Sequence, residues 1–567
     1  MLARSEFSPQ PRPFLGVSQS VTGRRWLARL DDRASAEALA ISQRLGLPDM
    51  VARVLSGRGV PAESAEAFLA PTLRDLMPDP ATITDMAPAT ARLADAVVNG
   101  ERIGVLADYD VDGATSAAIL LRYLRQLGPE PRLHIPDRST EGYGVSLSAV
   151  DDFAAARVSL LVTLDCGTSS HDALQRAAEK GIDVVVIDHH PAGVSLPPAR
   201  AIVNPNRQDD LSGLGALAAC GVTFMTCVAL NRELRRRGFF PGREPDLMSL
   251  IDLVALGTVC DVVPLKGLNR AFVARGLEIM RRRGNAGLAA LGDAARLTGA
   301  PAPYHLGFLL GPRINAGGRI GDSALGSRLL TADDPLLARP IALELDRLNR
   351  ERQEIEATAL AEAEAMLLEA DDRPVAVVFS EGWHPGVVGL VAARLKERGN
   401  RPAIAIALDA DGKGTGSGRS VSGVDLGAAI RAAAEAGLII KGGGHAMAAG
   451  LTVQRGRIPD LVAFLEERLA ADVAAARAAD GLKIDGAMTA SGARRELLDM
   501  LERAGPFGAG HPEPVFAFPA HRIGDVRVVG QGHVKATLIS GDNGRIDALA
   551  FRAADRDLGR RLLGAKG

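Results

Sequence analysis

The sequence contains few cysteines, few aromatic residues and no large excess of either charge. Four of the 567 residues are cysteines, and none stands in a CxxC pair. This argues against a zinc ribbon and, in a chain this long, against a disulfide framework, so we expect a reducing, cytoplasmic environment. The formal net charge of -2 excludes a general polycation, and any nucleic-acid binding must come from a local arrangement of basic residues.

Long apolar runs are also missing. No stretch of about 18 apolar residues occurs, so we predict no membrane span. The N-terminal stretch MLARSEFSPQPRPF lacks the apolar core of a signal peptide, and we expect the first residues, to about position 25, to be loosely structured. The length exceeds what one hydrophobic core supports and predicts three or four domains.

Four short apolar runs alternate with helix-like segments in the first half of the chain. They are IGVLAD (103–108), LLVTLD (160–165), VVVID (184–188) and AIVNP (201–205). Strands that are apolar on both faces and alternate with helices are typical of a parallel sheet covered on both sides. We therefore predict a parallel α/β domain here.

Three further features follow along the chain. A long helix rich in Glu, Arg and Ala is predicted over 336–370, and such a charged helix more often links domains than fills a core. A second α/β unit begins with PVAVVFS (374–380) and includes AIAIAL (403–408). Near the C-terminus, VKATLIS and RIDALAF flank the turn SGDNGR and predict a hairpin.

Acidic side chains follow the first two predicted strands. The first strand leads into ADYDVDGATS, which places Asp108, Asp110 and Asp112 at alternate positions before a helix expected to start near Thr115. A calcium loop begins similarly, but the glutamate that closes such a loop is missing. The second strand ends in Asp165, for which a helix N-cap is the simpler interpretation.

The third strand ends in the run Asp188-His189-His190. Parallel strands present their carboxyl ends at one edge of a sheet, so these groups should converge with the preceding aspartates. Unpaired carboxylates at close range repel one another, and mixed Asp/His ligation of Mn²⁺ or Mg²⁺ would relieve that repulsion. Asp261, in the helical run DLVALGTVCDVVPL, is a further candidate ligand, and carboxylate-rich two-metal sites activate water against phosphodiesters.

These motifs resemble a known family. ADYDVDGATS, LVTLDCG, VVIDHH and DLVALGTVCDVVPL, in this order, are similar to the four motifs of the DHH phosphoesterase superfamily. Seven later segments narrow the resemblance to the RecJ family of single-strand-specific 5′→3′ exonucleases of bacteria. They are IPDRSTEGYG (135–144), LGPRINAGGRI (310–320), LDRLNRERQEIE (345–356), GWHPGVVGLVAARL (382–395), GSGRS (416–420), KGGGHAMAAG (441–450) and GPFGAGHPEPVF (505–516).

The resemblance implies a catalytic centre with two Mn²⁺ or Mg²⁺ ions. The ligands it implies are Asp110, Asp112, Asp165, His189 and Asp261, with Asp108 as a ligand or a neighbour of the ligands. His190 is implied to contact the scissile phosphate. Cys260 departs from the family pattern, because a small residue is more usual there.

The resemblance also implies a pocket for the 5′-terminal phosphate. Its residues would be Arg138, Arg319, Ser417 and Arg419, with Gly443, Gly444 and His445 of a glycine-rich turn facing the site. These residue types suit an anion, because guanidinium forks match phosphate oxygens and glycine lets backbone N–H groups approach closely.

The expected fold is α/β with several domains. The parts are an N-terminal extension and helical region (1–99), a parallel-sheet DHH catalytic domain (100–335), a long connecting helix (336–373), a second α/β, DHH-associated domain (374–455), and a helix with an OB-like β-barrel that binds nucleic acid (456–567). The family's barrel usually continues beyond a point equivalent to LLGAKG, so we expect a shortened protein or an incomplete sequence.

The leading hypothesis is a monomeric, metal-dependent exonuclease that degrades single-stranded DNA from its 5′ end to 5′-mononucleotides in DNA recombination and repair. A single-stranded-DNA-binding protein and a helicase would be its partners. Because aromatic residues make up only 4% of the chain, we expect phosphate contacts to matter more than base stacking. Two alternatives stay open: a phosphodiesterase of the same superfamily acting on pyrophosphate, cyclic dinucleotides or short oligonucleotides, and a non-catalytic DNA-binding replication factor.

Overall fold

A computed structural model describes residues 12–138, 140–368 and 373–565 of the protein. The chain forms two compact units. The central unit comprises Thr72–Ala478 with Gly508–Gly510, and the terminal unit combines the chain up to Pro71 with Ala479–Phe507 and His511–Gly567. Within the described ranges, every helix is too short or too polar to cross a membrane.

The N-terminal part of the terminal unit is one strand and three helices. They are β1 (Arg25–Ala28), α1 (Asp32–Leu45), α2 (Asp49–Gly57) and α3 (Ala65–Leu69). Helix α1 begins after Asp31, because the Asp31 carboxylate accepts a hydrogen bond from the N–H of Ala34 at 2.8 Å and so caps the helix.

A five-stranded parallel sheet forms the first domain of the central unit. Its elements are α4 (Leu73–Leu76), α5 (Met86–Val98), β2 (Ile103–Ala107), α6 (Val111–Leu127), β3 (Arg132–His134), α7 (Leu147–Ala155), β4 (Leu160–Leu164), α8 (His171–Glu179), β5 (Asp183–Ile187), β6 (Ala201–Val203) and α9 (Ala219–Arg236). The strand order is β3-β2-β4-β5-β6, with every pair parallel. The parallel α/β fold predicted from the four apolar runs is confirmed, although the short strand β3 was not predicted.

Both faces of this sheet are covered because successive strand residues are apolar. In β5, Val185 and Ile187 pack into a core with α5, α6 and α9, whereas Val184 and Val186 pack into a second core with α7 and α8. Burying one such side chain stabilises the fold by roughly 1.5–3 kcal/mol. If β5 shifted by one residue relative to its neighbours, the side chains that now face one core would face the other. The packing therefore also fixes the register of the strand.

Helices complete the first domain and lead into the second. They are α10 (Ile251–Cys260), α11 (Gly267–Met280), α12 (Ala286–Ala294), α13 (Pro303–His305), a π-helix (Leu306–Leu310), α14 (Gly311–Ile320), α15 (Leu325–Thr331) and α16 (Pro335–Leu367). Helix α16 is the long helix predicted from the charged sequence. It contacts α12, α14 and α15 as well as α17 and β7 of the next domain, so it links the two.

The second domain of the central unit is a mixed five-stranded sheet with helices on both faces. Its elements are β7 (Ala376–Ser380), α17 (Val388–Gly399), β8 (Ala403–Leu408), β9 (Lys413–Arg419), α18 (Leu426–Glu435), β10 (Lys441–His445), β11 (Ala448–Gln454) and α19 (Ile458–Ala479). The order is β10-β11-β9-β8-β7, in which only β7 and β8 are parallel. Ile404 and Ile406 face α18 and α19, whereas Ala403 and Ala405 face α16 and α17.

The terminal unit ends in short strands and two helices. They are β12 (Gly481–Ile484), β13 (Gly486–Ala487), α20 (Arg495–Ala504), β14 (Phe516–Ala517), β15 (Arg522–Val529), β16 (His533–Ile539), β17 (Arg545–Ala550) and α21 (Asp557–Gly564). Strands β15, β16 and β17 form an antiparallel sheet that contains the predicted hairpin, and β13 pairs with β14. Single 3₁₀ turns lie at Phe14–Gly16, Pro80–Thr82, Leu247–Leu250, Arg455–Arg457 and Ala490–Gly492.

Both ends of the chain contribute to the terminal unit. Strand β1 pairs in parallel with β12. Next to this pair, the fully buried carboxylate of Asp485 forms an ion pair with Arg58 and accepts a hydrogen bond from the N–H of Val515 at 2.9 Å. Sequence analysis did not predict this association, because pairing between distant segments leaves no local pattern.

Candidate metal centre and adjoining arginine pocket

The loop after β2 places aspartates at the carboxyl edge of the parallel sheet. Asp110 caps α6, and its Oδ1 accepts hydrogen bonds from the N–H groups of Asp112 (2.8 Å) and Gly113 (3.1 Å). The helix therefore begins at Val111, earlier than predicted, because the cap satisfies its first N–H groups. Gly113 is required at this turn, since a Cβ would lie 2.2 Å from the carbonyl oxygen of Asp108.

Asp112 is buried and is held by a second helix. Its carboxylate accepts hydrogen bonds from the N–H groups of Ala219 (2.6 Å) and Cys220 (2.9 Å), in the first turn of α9. Two such bonds from a helix N-terminus fix the direction in which the carboxylate points. Burial nevertheless raises the pKa of Asp112 above its usual value.

Asp165, directly after β4, is not a helix cap, because α8 starts after Ser170. Asp165 has a left-handed φ of 60°, which costs a non-glycine residue roughly 1–3 kcal/mol and often marks a functional site. Its Oδ1 lies 3.2 Å from Nε2 of His189 and 3.8 Å from Nδ1 of His190. The strained turn thus directs the carboxylate toward the two imidazoles.

Asp188 positions its neighbours. Its buried carboxylate accepts hydrogen bonds from the N–H groups of Thr168 (3.1 Å) and His189 (2.7 Å) and lies 2.8 Å from Nδ1 of His190. Although burial opposes ionisation, the bond to His190 lowers the pKa of Asp188 to about 2. Conversely, although burial opposes protonation of the imidazole, Asp188 raises the pKa of His190.

His189 presents a free nitrogen to the site. Its Nδ1 lies 3.1 Å from the carbonyl oxygen of Leu217. Because that oxygen can only accept, the contact favours the tautomer with the proton on Nδ1 and the lone pair on Nε2. That Nε2 lies 3.2 Å from Asp165 Oδ1 and 3.8 Å from Asp112 Oδ2. A lone pair directed at two carboxylates, with the other ring nitrogen bonded to a carbonyl, is the arrangement of a metal-ligating histidine.

Asp261 reaches the site from the C-terminal end of α10, as the sequence predicts. Its Oδ2 lies 3.6 Å from Nδ1 of His189. Burial and the carboxylates of Asp112 and Asp110 raise the pKa of Asp261 to about 9. The next residue, Val262, has a φ of 60°, so a second strained turn lies beside a candidate ligand.

The structure brings all seven predicted catalytic and metal-binding residues together. Three overlapping sets have ligand atoms within 4.8 Å of one another: Asp108, Asp110 and Asp165; Asp112, His189 and Asp261; Asp165, His189 and His190. Three buried carboxylate oxygens, on Asp108, Asp165 and Asp261, have no hydrogen-bond partner within the described residues. Burial raises the pKa values of Asp108 and Asp165 well above their usual range. Unpaired buried carboxylates are costly, and an oxygen-rich set with imidazole and no thiolate fits Mn²⁺ or Mg²⁺.

Tyr143 is a site residue that sequence analysis did not identify. Its hydroxyl lies 3.0 Å from Nδ1 of His190 and 3.2 Å from the carbonyl oxygen of Asp165. Its ring packs edge-on against the His190 ring, with 5.5 Å between centroids. Tyr143 lies in the same segment, IPDRSTEGYG, as Arg138, and this proximity is the signal that could have identified it.

Two of the predicted arginines, Arg138 and Arg319, lie near Tyr109, the residue between Asp108 and Asp110. The Arg138 guanidinium lies over the Tyr109 ring, 5.4 Å from its centroid. Arg319 donates a hydrogen bond from Nη1 to the carbonyl oxygen of Gly386 at 2.9 Å, so it reaches from the first domain to the second. Burial lowers the pKa of Arg319 to about 10, with repulsion from Arg138 and Arg419 among the contributing causes.

Arg419, on strand β9, is the third predicted arginine. We call Arg138, Arg319 and Arg419 together the arginine pocket. Nη1 of Arg419 donates hydrogen bonds to Ser417 Oγ (2.9 Å) and to the carbonyl oxygen of Gly418 (2.8 Å). Burial and repulsion from Arg138 lower the pKa of Arg419. Cations held close together against their mutual repulsion indicate an anion-binding site, because a phosphate would remove that repulsion.

The segment predicted as a glycine-rich turn is instead strand β10, and the sheet register places this strand in the same rows as Ser417 and Arg419. Across β9, β11 and β10 the register rows are Ser417–Gly450–Gly443 and Arg419–Ala448–His445. Alternate residues share a face, so Ser417, Arg419 and His445 lie on one face, while Gly444 belongs to the other. A Cβ at Gly443 or Gly450 would meet nothing within 4 Å, so this face is open beside Arg419.

Three family models match the chain. The model of the DHH family, N-terminal domain, matches residues 102–258, which include the parallel sheet. The DHHA1 domain matches 356–471, which include the mixed sheet. The RecJ OB domain matches 484–562, which include the antiparallel sheet of the terminal unit.

Related proteins and solved structures agree with these matches. The single-stranded-DNA-specific exonucleases RecJ of Dickeya dadantii (strain 3937) and Escherichia coli (strain K12) are 38% identical over 523 residues and 37% identical over 520 residues, each covering 89% of this chain and 89% of the relative. The crystal structure of RecJ in complex with Mn²⁺ from Thermus thermophilus has a TM-score of 0.76 and 31% identity, covering 94% of this chain and 74% of that one. A crystal structure of exonuclease RecJ bound to manganese has a TM-score of 0.59 and 35% identity, covering 70% of this chain and 97% of that one. With this identity over most of both sequences, the chain belongs to the RecJ family of DHH-domain proteins.

Proposed function

We propose that this protein is a metal-dependent exonuclease that degrades single-stranded DNA from its 5′ end and releases 5′-mononucleotides. The observation that carries the proposal is the juxtaposition, in one compact unit, of a carboxylate–imidazole cluster with unpaired buried oxygens and a pocket of three arginines. The relatives support it, because they are named single-stranded-DNA-specific exonucleases and two similar structures contain Mn²⁺.

We assign six residues as ligands of two Mn²⁺ or Mg²⁺ ions and call them the ligand cluster. They are Asp108, Asp110, Asp112, Asp165, His189 and Asp261. When bound, such cations lower the pKa of water and neutralise negative charge on a phosphodiester. The chain contributes rigidity, because helix α9 holds Asp112, the α6 cap holds Asp110 and the Leu217 carbonyl holds His189. Ligands fixed in this way need little rearrangement during the reaction.

His190 is suited to contact the scissile phosphate. Asp188 raises the pKa of His190 and so favours the charged imidazolium. Its Nδ1 lies 3.8 Å from Oδ1 of the proposed ligand Asp165 and 3.0 Å from the hydroxyl of Tyr143, so the imidazole borders the ligand cluster. A charged donor at this position can bond a phosphate oxygen more strongly than a neutral one.

The arginine pocket accounts for the preference for a 5′ end. A terminal phosphate carries close to two negative charges near neutral pH, whereas an internal phosphodiester carries one. Three clustered arginines, Arg138, Arg319 and Arg419, therefore favour the terminal group. Anchoring that group beside the ligand cluster would place the first internal phosphodiester at the metals, so that one nucleotide is released at each step.

The alternatives are less favoured. A phosphodiesterase for cyclic or very short nucleotides would need the ligand cluster, but it would not need the terminal unit in which residues 484–562 match the RecJ OB domain. A non-catalytic DNA-binding factor would not need a complete ligand set, yet every predicted ligand belongs to one of three closely spaced groups of possible metal ligands.

We further propose that the protein acts as a monomer in a reducing cytoplasm, with a single-stranded-DNA-binding protein and a helicase as partners. The four cysteines are free thiols, which supports a reducing compartment. Light scattering of the purified protein and pull-down with a purified single-stranded-DNA-binding protein would test the oligomeric state and one partner.

The proposed activity is tested with end-labelled DNA and Mn²⁺. A 5′-phosphorylated single strand labelled at its 5′ end should release labelled mononucleotide at once, and the same strand labelled at its 3′ end should release label last. The matching blunt duplex should stay intact. Cleavage limited to dinucleotides would favour the phosphodiesterase alternative, and binding without cleavage would favour the non-catalytic one.

A further inference from the structure

Two exposed aromatic residues, a short distance before Arg319 in the sequence, stack on each other. Tyr304 is 60% exposed and Phe308 is 70% exposed. Their ring centroids are 5.1 Å apart and the rings are inclined by 25°. Aromatic residues make up only 4% of this chain, and a core would normally bury their apolar area. Contiguous exposed apolar surface is a feature of binding sites, and an exposed stacked pair offers a flat face on which a planar group can stack.

The backbone geometry presents the pair outward. Phe308 lies in the π-helix Leu306–Leu310, which continues directly from α13, where Tyr304 lies. Leu306 and Leu310 are buried in the core, so the residue midway between them faces solvent. A π-helix is a rare conformation that occurs frequently at functional sites.

This π-helix packs beside a metal ligand. The Cys260 thiol donates to the carbonyl oxygen of Leu306, with Sγ and oxygen 3.4 Å apart. A Cβ at Gly311, at the end of the π-helix, would lie 2.5 Å from Cys260 Sγ. Because Cys260 immediately precedes Asp261, the π-helix contacts the chain one residue before a proposed ligand, through Leu306 and Gly311, while Phe308 on the same π-helix remains exposed.

The same helical stretch continues to the arginine pocket. Helix α14 follows the π-helix and includes Arg319, whose neighbour Gly318 lies so close to Tyr109 that a Cβ there would be 3.1 Å from its carbonyl oxygen. At a rise of about 1.5 Å per residue, Phe308 lies roughly 16 Å from Arg319 along the helix. One continuous stretch thus connects the pocket, the edge of the ligand cluster and the aromatic pair.

We propose that Tyr304 and Phe308 form a stacking platform for bases of the incoming strand, on the far side of the scissile phosphate from the arginine pocket. The proposal rests on the proposed function. Base–aromatic stacking tolerates any sequence because every base has a flat face. The bases of a duplex are paired and stacked on one another, so a platform of this kind also favours single strands.

The test compares strands that reach the platform with a substrate that does not. We expect Phe308→Ala to lower kcat/KM for a 5′-phosphorylated twelve-nucleotide strand more than for a 5′-phosphorylated dinucleotide, by about 5- to 150-fold, the range that base–aromatic stacking spans. Phe308→Trp should restore the strand activity, whereas Phe308→Leu, which is apolar but cannot stack, should not. Leu336→Ala truncates another exposed apolar side chain, on α16, that is 81% exposed; it is the control and should behave as the wild type.

A second experiment locates the platform on the strand. A single abasic position is moved along the twelve-nucleotide strand from the second to the sixth nucleotide. At the nucleotide that stacks on Phe308, removing the base should slow the wild type but leave Phe308→Ala unchanged, because both changes remove the same contact. If the loss of activity from the abasic position and the loss from Phe308→Ala are additive at every position, Phe308 stacks on no base and the platform does not exist.

The outcomes separate this proposal from the proposed function. Equal losses on the strand and the dinucleotide would mean that Phe308 only supports the ligand cluster through Cys260 and would overturn the platform. Full activity of Phe308→Leu would replace base stacking by a general apolar contact and would overturn it as well. If the wild type itself degrades no single strand, the proposed function fails first. Thermal unfolding midpoints equal to that of the wild type show that the variants are folded.

Discussion

Metal binding should depend strongly on pH, because carboxyl groups of the ligand cluster hold protons in the metal-free protein. Burial and the neighbouring carboxylates raise the pKa of Asp261 to about 9, and burial raises those of Asp108 and Asp165 well above their usual range. Near pH 7, Asp261 therefore carries a proton that a bound cation must displace. Each displaced proton makes the association constant rise about tenfold per pH unit, or ~1.4 kcal/mol.

The pH dependence of the Mn²⁺ affinity follows from the number of protons that the cation displaces. Between about pH 6 and about pH 8, both below the pKa of Asp261, its proton alone should strengthen Mn²⁺ binding by about 100-fold. Asp261→Asn should bind Mn²⁺ more weakly at every pH, but with a shallower dependence, because asparagine has no proton to release.

Isothermal titration calorimetry in two buffers of different ionisation enthalpy measures both quantities. The wild type should release at least one proton for each cluster filled near pH 7, and Asp261→Asn should release about one fewer. Asp333→Asn, which removes an exposed aspartate paired with Arg122, is the control and should match the wild type. An affinity that does not change with pH, with no proton release, would refute this reasoning.

Three further predictions concern stability, the phosphate pocket and His190. Because the pKa of Asp261 is raised in the folded state, its contribution to the free energy of unfolding is complete below about pH 4 and is lost as the pH rises toward 9. Thermal unfolding midpoints measured in EDTA should therefore fall over this pH range, and adding Mn²⁺ should restore them. A midpoint that rises with pH in EDTA would contradict this prediction. Arg419→Ala should reduce kcat/KM on 5′-phosphorylated strands by about 10- to 150-fold relative to 5′-hydroxyl strands, the range for a lost charged hydrogen bond of ~1.5–3 kcal/mol; equal losses on both ends would place Arg419 elsewhere on the strand. Asp188→Asn removes the carboxylate that raises the pKa of His190. In a plot of kcat against pH, the decline on the alkaline side should therefore move to lower pH, while the affinity for Mn²⁺ is largely retained. If that decline does not move, His190 does not act as a charged donor.

The parallel sheet and the cluster of acidic and imidazole side chains at its edge were predictable because their signals are local. Apolar runs ending in Asp or His identify both the strands and the edge at which they finish, and parallel topology then requires convergence. Asp165 and His189 could therefore be placed next to each other from sequence alone, as the 3.2 Å contact between them shows. The individual geometry was not predictable: the left-handed turn at Asp165 and the double hydrogen bond to Asp112 depend on the folded backbone.

The residues that were missed depend on long-range contacts. Tyr143 reaches His190 from a loop whose path is fixed by the packing around it, and the pairing of β1 with β12 joins the two ends of the chain. The expectation that phosphate contacts matter more than base stacking rests on the low aromatic content and stays a prediction. Composition counts aromatic residues but not their exposure, so it does not predict that Tyr304 and Phe308 stack on each other at the surface.

The central claim is that the carboxylate–imidazole cluster performs metal-dependent exonuclease chemistry. The most direct measurement is the Mn²⁺-dependent release of mononucleotides from a 5′-phosphorylated single strand by the wild type and by Asp165→Asn, which keeps the side-chain shape but removes the shared ligand charge. We predict steady release of 5′-mononucleotides by the wild type and a loss of at least about 100-fold in Asp165→Asn, because even the loss of an outer partner of a metal ligand costs about 10- to 100-fold. Equal rates for the two proteins, with both folded and both binding the strand, would contradict it.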